Sequence, residues 1–132
     1  METITVQSQH RKQMIDITSA VRSSLQQSPL KEGIGVIYCP HTTAGITINE
    51  NCDPDVVHDM LLCLERMIPM RQQGFRHGEG NSDSHIQTAM IGPSVAVIVT
   101  EGKIVLGTWQ GIFLCEFDGP RTRKVHIQWV GK

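Results

Sequence analysis

Hydrophobic and polar positions alternate from the first residues. Thr3 to Gln9 has a period of two with Ile4 and Val6 on one side, which predicts a strand. The spacing then changes. Ile17, Val21 and Leu25 recur every fourth residue after Asp16, an expected N-cap, and stop at Ser28-Pro29, predicting a first amphipathic helix. "GIGVIYC" (33–39) and "GITINE" (45–50) return to an extended pattern, with "PHTTA" between them as an exposed connection or bulge. Asp53-Pro54 supplies an N-cap and an N1 proline ahead of Val57, Met60, Leu61, Leu64 and Ile68, the stripe of a second helix ending at Pro69.

A polar loop follows, and Ser82 or Asp83 is the expected cap of a short third helix through Ile86, Ala89 and Met90, closed by Gly92-Pro93. From Ser94 the chain reads as strands: "SVAVIVT", a turn at Glu101-Gly102, "KIVLGTWQGIFLCEF", a turn at Asp118-Gly119-Pro120, and "RKVHIQWV" with Val125, Ile127 and Trp129 on one face. Strands outnumber helices and cluster early and late. The expected class is therefore α+β with a mostly antiparallel or mixed sheet rather than a doubly wound fold.

The length of 132 residues suits a single domain, 1–132. Lys plus Arg (12) nearly balances Asp plus Glu (13), so no general basic field argues for nucleic acid, and 5% aromatic content gives little surface for stacking bases. No apolar run approaches the roughly 20 residues of a membrane span, and the start of the chain lacks a secretory pattern. A cytoplasmic location is expected, with no membrane or nucleic-acid partner. Cys39, Cys52, Cys63 and Cys115 contain no CxxC pair, which removes a zinc ribbon or dithiol redox motif and leaves reduced, half-buried thiols as the expectation.

Candidate chemistry is confined to polar loops. "RHGEGNSDSH" (76–85) holds His77 and His85 around a glycine-rich turn, and His41 lies in "PHTTA". Imidazoles gathered from separate loops suit a mononuclear divalent metal such as zinc, and each alone equally suits an ordinary hydrogen-bonded histidine. His58 on a helix and His126 on a strand's polar face read as structural. Gly78 and Gly80 are candidate anion contacts through their backbone, or simply turn residues with positive φ, and no P-loop ending follows them. In "HTTAGITINEN", Thr42 and Thr43 suit a polar ligand or their own turn, and Glu50 a base or a helix-dipole partner. Thr108, Trp109 and Gln110 interrupt an apolar run, as at a bulge, a site, or a sheet end where Trp109 packs. Arg121 beyond Asp118 suits a forked contact to phosphate, or an ion pair within the chain.

In this order and spacing, "HTTAGITINEN", "HGEGNSDSH" and "LGTWQGIFLCEFDGPR" resemble the YjbQ-like family over nearly the whole chain. The resemblance implies a two-sheet β-sandwich with two to three helices, assembled as a homotrimer with polar clefts near subunit boundaries. It also implies a secondary thiamine-phosphate synthase activity, joining a pyrimidine diphosphate to a thiazole phosphate. His41, His77 and His85 would be the metal or catalytic histidines, with Glu50 and Asn81 nearby and Trp109, Gln110, Asp118 and Arg121 lining or supporting the cleft. Ser84 departs from the alanine common before the second loop histidine, a change expected to alter how its helix packs.

Two other functions fit the same loops. One is a metal-dependent hydrolase of a small phosphorylated metabolite, with Glu50 as base. The other is a non-catalytic metal- or metabolite-binding trimer.

Overall fold

The computed structural model describes all of residues 1–132. The strands are β1 (Glu2–Gln7), β2 (Gln13–Asp16), β3 (Gly33–Tyr38), β4 (Ala44–Glu50), β5 (Ser94–Thr100), β6 (Lys103–Ile104), β7 (Gln110–Glu116) and β8 (Thr122–Gly131). The helices are α1 (Thr18–Gln26), α2 (Pro54–Met67) and α3 (Ser82–Ile91). A five-stranded sheet runs β1-β8-β3-β5-β6 and a three-stranded sheet runs β2-β7-β4, with every pairing antiparallel. The α+β expectation is met. No helix is long and apolar enough to cross a membrane.

Alternation explains the layers. In β8, Val125 and Ile127 are inward and fully buried, as their period of two requires, and they meet Ile37 and Val97 of the same sheet and Ile46, Ile112 and Leu114 of the other. The central strand β7 is buried on both sides. Its Ile112 and Leu114 face the large sheet, while Phe113 and Cys115, with Phe117 just beyond the strand, face Val57, Leu61 and Leu64 of α2 and Ile91 of α3. The order of layers is thus large sheet, small sheet, then α2 and α3, whereas α1 contributes Val21 to the core between the sheets. In β3, Gly35 lies opposite Trp129, whose ring occupies the space a Cβ would need. Its indole N–H donates to Ser24 of α1 at 3.0 Å.

Several local expectations are revised. Asp16 does not occupy the cap position of α1, which is Ile17; its Oδ1 instead accepts from the Thr18 N–H at 2.9 Å one residue further out. Asp16 also ends β2, a strand too short to show a clear period. The cap position of α3 is Asn81, so Ser82 and Asp83 fall inside the helix. "KIVLGTWQGIFLCEF" is two strands separated by a loop, because Gln110 Oε1 accepts the Gly107 N–H at 2.8 Å and closes a turn around Trp109. The "PHTTA" connection is exposed only in part, since Thr43 and Ala44 are buried. The free cysteines are split: Cys39 and Cys115 are buried, Cys52 and Cys63 exposed. Burial, then the neighbouring Cys39, pushes the Cys115 thiol up to about 12, so it stays protonated.

The sheets are tied at one end by a buried ion pair. Arg123 at the start of β8 contacts both carboxylate oxygens of Glu116 at the end of β7, through Nε at 2.8 Å and through Nη2. The same Nη2 donates to Thr43 Oγ1 at 2.9 Å, in the connection from β3 to β4. Ser8 Oγ donates to Glu116 Oε1 at 2.7 Å and the Asp118 N–H to Oε2 at 3.0 Å. Burial pushes the Glu116 carboxyl up, but the bonds from Arg123, Ser8 and Asp118 outweigh it and hold it below its usual range.

Removing one member of such a pair strands a buried charge, which costs on the order of 3–5 kcal/mol. Glu116→Ala is therefore expected to lose about that much in urea unfolding. The double variant Glu116→Leu/Arg123→Met is expected to lose much less than the two single changes summed. A loss below about 1 kcal/mol for Glu116→Ala would show that the pair does not hold the sheets together.

Candidate polar cleft

The cleft lies where the connection from β3 to β4, the loop entering α3 and the turn from β7 to β8 meet. It measures about 380 Å³ and is lined by Pro40, His41, Thr42, Thr43, His77, Glu79, Asn81, His85, Asp118, Arg121 and Arg123, all polar but the proline. Segments as far apart in sequence as Pro40 and Arg123 supply these walls, and the contacts of Arg123 with Glu116 and Thr43 hold the first and last of them together.

Helical spacing accounts for one wall. Asn81 and His85 are four residues apart at the start of α3 and share a face. His85 sits across from His77, the ring centroids 5.3 Å apart and the rings at 88°. Asn81 is only 6% exposed. Its Nδ2 donates to Asp118 Oδ2 at 2.8 Å, so its orientation is set by an acceptor and its Oδ1 faces away with no partner. An unpaired carbonyl removed from solvent is costly, so the fold itself bears that penalty to keep Asn81 on Asp118. Because Asn81 turns to Asp118, it does not cap α3, and the first-turn N–H groups keep their positive end toward this region.

α3 itself is fastened from beneath. Asp83 is fully buried and takes a forked contact from Arg11, at 2.9 and 3.1 Å, and a third bond from Lys12 Nζ at 2.8 Å. Lys12 also donates to Gln87 Oε1 at 2.6 Å. Burial raises the Asp83 carboxyl, but the Arg11 and Lys12 bonds and then their charges win, and it sits at about 2. Ser84 is completely buried and donates to the Phe117 carbonyl at 2.6 Å. This bond tethers α3 to the residue that follows β7, directly before His85.

The remaining cleft groups divide by how many of their bonds are already used. His41 Nε2 accepts the Lys124 N–H at 3.0 Å, which fixes the tautomer with the proton on Nδ1. Burial, then the positive charge of Arg123, lowers its pKa below the ordinary histidine value, so it is neutral at pH 7. Asp118 is a clamp: Oδ2 accepts from both Asn81 and Arg121, and Oδ1 lies 3.7 Å from Arg11 Nε. Arg121 donates through Nε to the Asp118 carbonyl at 2.8 Å and through Nη2 to the carboxylate at 3.0 Å, leaving Nη1 free at an exposed rim. Thr43 is committed to Arg123, while Thr42 is exposed.

Other expected site residues are elsewhere. Glu50 pairs with Gln110 at the far end of the small sheet, about 20 Å of strand from Thr43 at ~3.3 Å per residue. Trp109 is beside them and 59% exposed. Within the chain, Glu50 therefore cannot act as base at the histidines, and Trp109 and Gln110 do not line this cleft. Gly78 and Gly80 shape the loop without lining the cleft. Gly80 has φ +72° but its N–H donates to the His77 carbonyl at 3.2 Å, and Gly78 has no positive φ. This is turn geometry rather than an anion nest.

No three His, Cys, Asp or Glu side chains converge as a metal site would require. With Nε2 of His41 occupied, the imidazole donors of one chain reduce to the His77–His85 pair, short of the three protein ligands of a mononuclear catalytic zinc. The geometry overlooked by sequence reading is Glu79 and Arg123. Arg123 carried a signal, since it shares the inward face with Val125 and Ile127, where a charge needs a partner.

Comparison with known proteins gives a consistent result. Residues 2–132 match the family model described as UPF0047 protein YjbQ-like. UPF0047 protein YugU of Bacillus subtilis is 49% identical over 131 residues, covering 99% of each chain. UPF0047 protein MJ1081 of Methanocaldococcus jannaschii is 49% identical over 126 residues, covering 96% of this chain and 91% of the relative. Among solved structures, a YjbQ/UPF0047 protein of Clostridium acetobutylicum superposes with TM-score 0.96 at 45% identity, covering 98% of this chain and 100% of the other. A YbjQ-like protein of Sulfolobus solfataricus P2 gives 0.95 at 31%, covering 99% and 96%.

The Asp83 network sets an acid limit on the wall it supports. A carboxyl whose folded pKa lies below its unfolded value contributes stability that is present above about pH 4 and lost as pH falls toward about 2. Denaturant unfolding is expected to show a loss on the order of 2 kcal/mol across that window, and Asp83→Asn should flatten it. An unchanged acid profile in Asp83→Asn would contradict the assignment.

Proposed function

The chain belongs to the YjbQ-like UPF0047 family, and on that premise and the geometry of its cleft we propose that it binds the phosphate or diphosphate group of a small metabolite. The observation that carries this reading is the cleft's composition. Its lining is polar apart from Pro40, Arg121 keeps Nη1 free at the rim, and the His77 and His85 rings pack edge to face in its wall. A phosphate or diphosphate group offers acceptor oxygens to the Arg121 guanidinium and to the imidazole N–H groups. A volume of about 380 Å³ lies within the range of small-molecule sites.

Such a site suits the secondary thiamine-phosphate synthase reaction implied by the resemblance. The C–O bond of the pyrimidine-methyl diphosphate breaks, its electron pair leaves with the diphosphate, and the thiazole ring nitrogen bonds to the methylene carbon. Arg121 and a protonated His77 or His85 would stabilise the departing charge, with the imidazole supplying a proton to the leaving diphosphate. The neutral His41, its tautomer set by Lys124, would present an Nδ1–H donor to the same group. Glu50 has no part in this scheme. Neutralisation rests on the chain's own cations because the donor set does not make a three-ligand metal centre.

The reading is tested by calorimetric titration with inorganic diphosphate, alongside an assay for thiamine phosphate formation. Wild-type protein is expected to bind, and Arg121→Ala and His85→Ala each to weaken binding about tenfold, a charge-assisted bond being worth roughly 1.5–3 kcal/mol. Binding that is absent, or indifferent to both changes, overturns the proposal. Binding without turnover reduces the protein to a metabolite-binding role.

The homotrimer is part of the same proposal. A cross-strand row of Ile98, Ile34 and Val130 leaves the outer face of the large sheet at 61%, 48% and 59% exposure, with Val36 and Tyr38 further along β3. Apolar side chains concentrated on one sheet face are the composition of a subunit contact. Sedimentation should give the mass of three chains, and Ile34→Lys/Ile98→Lys should dissociate it. A monomeric wild type would remove this part of the reading.

A further inference from the structure

A separate cavity lies at the other end of the large sheet. It measures about 240 Å³ and is walled by Arg22, Leu25 and Gln26 of α1 and by Gly102, Lys103 and Ile104 of the β5–β6 hairpin. β8 runs from Arg123, beside the cleft, to Gly131, about 26 Å of strand at ~3.3 Å per residue. Lys132 then accepts the Lys31 N–H at 2.6 Å, and the Lys31 carbonyl accepts the Gly102 N–H at 3.0 Å. The hairpin turn is thus fixed far from the histidines.

Helix spacing sets one wall. Val21 and Leu25 turn inward to the core, and Arg22 and Gln26, four residues apart, form the neighbouring stripe that meets the hairpin. Sheet pairing sets the other. Ile104 lies opposite the buried Val99 and joins Leu25 in one apolar cluster, so the floor between the walls is hydrophobic. The exposed row Ile98, Ile34 and Val130 occupies the opposite face of the same sheet.

Three cations converge on this floor. Arg22 and Lys103 stand on opposite walls, and Lys31 holds its ammonium over Gly102, 3.3 Å from the point a Cβ would occupy. None of them belongs to the chain's ion pairs, which use Arg11, Lys12, His58, Arg121 and Arg123. The nearby carboxylates are committed elsewhere. Asp16 accepts from Thr18 and Asn51, and Glu32 from the Thr100 hydroxyl at 2.8 Å and the Glu101 N–H at 2.9 Å. Like charges gathered without a counter-charge raise the local potential, and a bound anion lowers it.

We infer that this cavity is a binding site for a short aliphatic dicarboxylate, independent of the phosphate reading of the cleft. One carboxylate takes the forked guanidinium of Arg22, the other takes the ammonium groups of Lys31 and Lys103, and the methylene chain lies on Leu25 and Ile104. A compact inorganic anion would leave the apolar floor uncovered. A monocarboxylate would leave one cationic wall unpaired.

The full-length protein is titrated with glutarate, butyrate and inorganic phosphate, and affinity is read from the NMR shifts of the Gln26, Gly102 and Ile104 amides. These report this cavity alone, whatever binds in the cleft. Glutarate is expected to bind at least about tenfold more tightly than the other two. Arg22→Gln and Lys103→Gln, both at exposed positions, should each weaken it about tenfold with the circular dichroism unchanged, while Arg121→Ala leaves it within about twofold.

Glutarate that leaves these amides unmoved, or moves them equally in Arg22→Gln, Lys103→Gln and wild type, would overturn the site. Butyrate or phosphate binding here as tightly as glutarate would overturn the dicarboxylate assignment.

Discussion

The Glu116–Arg123 pair is the contact on which the rest depends. Glu116 ends the central strand of the small sheet, Arg123 begins the second strand of the large one, and Thr43 joins the two between β3 and β4. All are essentially removed from water, so leaving any of these groups unpaired is penalised heavily. That penalty makes the arrangement specific as well as stable. The turn Phe117 to Arg121 and the loop Pro40 to Thr43 are confined to positions that keep Glu116, Arg123 and Thr43 paired, and those loops are the floor of the cleft.

A second ionic network does for α3 what the first does for the sheets. Arg11 and Lys12, from the connection between β1 and β2, converge on Asp83 inside the first turn of the helix, and Ser84 ties the next residue to Phe117. Asn81 and His85 flank these anchors and are therefore held by groups that never face the cleft. The one polar atom of this wall without a partner, Asn81 Oδ1, is thus a property of a rigid frame rather than of a loose loop.

Much of the fold was readable in advance for a plain reason: period-two and period-four spacings are local, and burial respects them. Val125 and Ile127 in β8, and Asp53-Pro54 opening α2, behave as their positions demand. β2 was invisible because Gln13–Asp16 is too short for a period to emerge and owes its extended form to pairing with β7. The break around Trp109 was legible as a break, but its cause is the long-range pairing of Gln110 with Glu50 and the local closure by Gly107.

For the site, the sequence alone determined the kinds of groups available and the loops that carry them, because imidazole, guanidinium and amide chemistry is intrinsic to each residue. His41, His77, His85, Asn81, Asp118 and Arg121 do meet at one cleft. Which of their atoms remain free was decided only by tertiary structure. Lys124 takes the Nε2 lone pair of His41, Asn81 and Arg121 take up Asp118, and sheet register carries Glu50, Trp109 and Gln110 to the opposite end. Hydrogen-bonding capacity is finite, and partners distant in sequence use it up, so the spare valences that make a site exist only once the chain has folded.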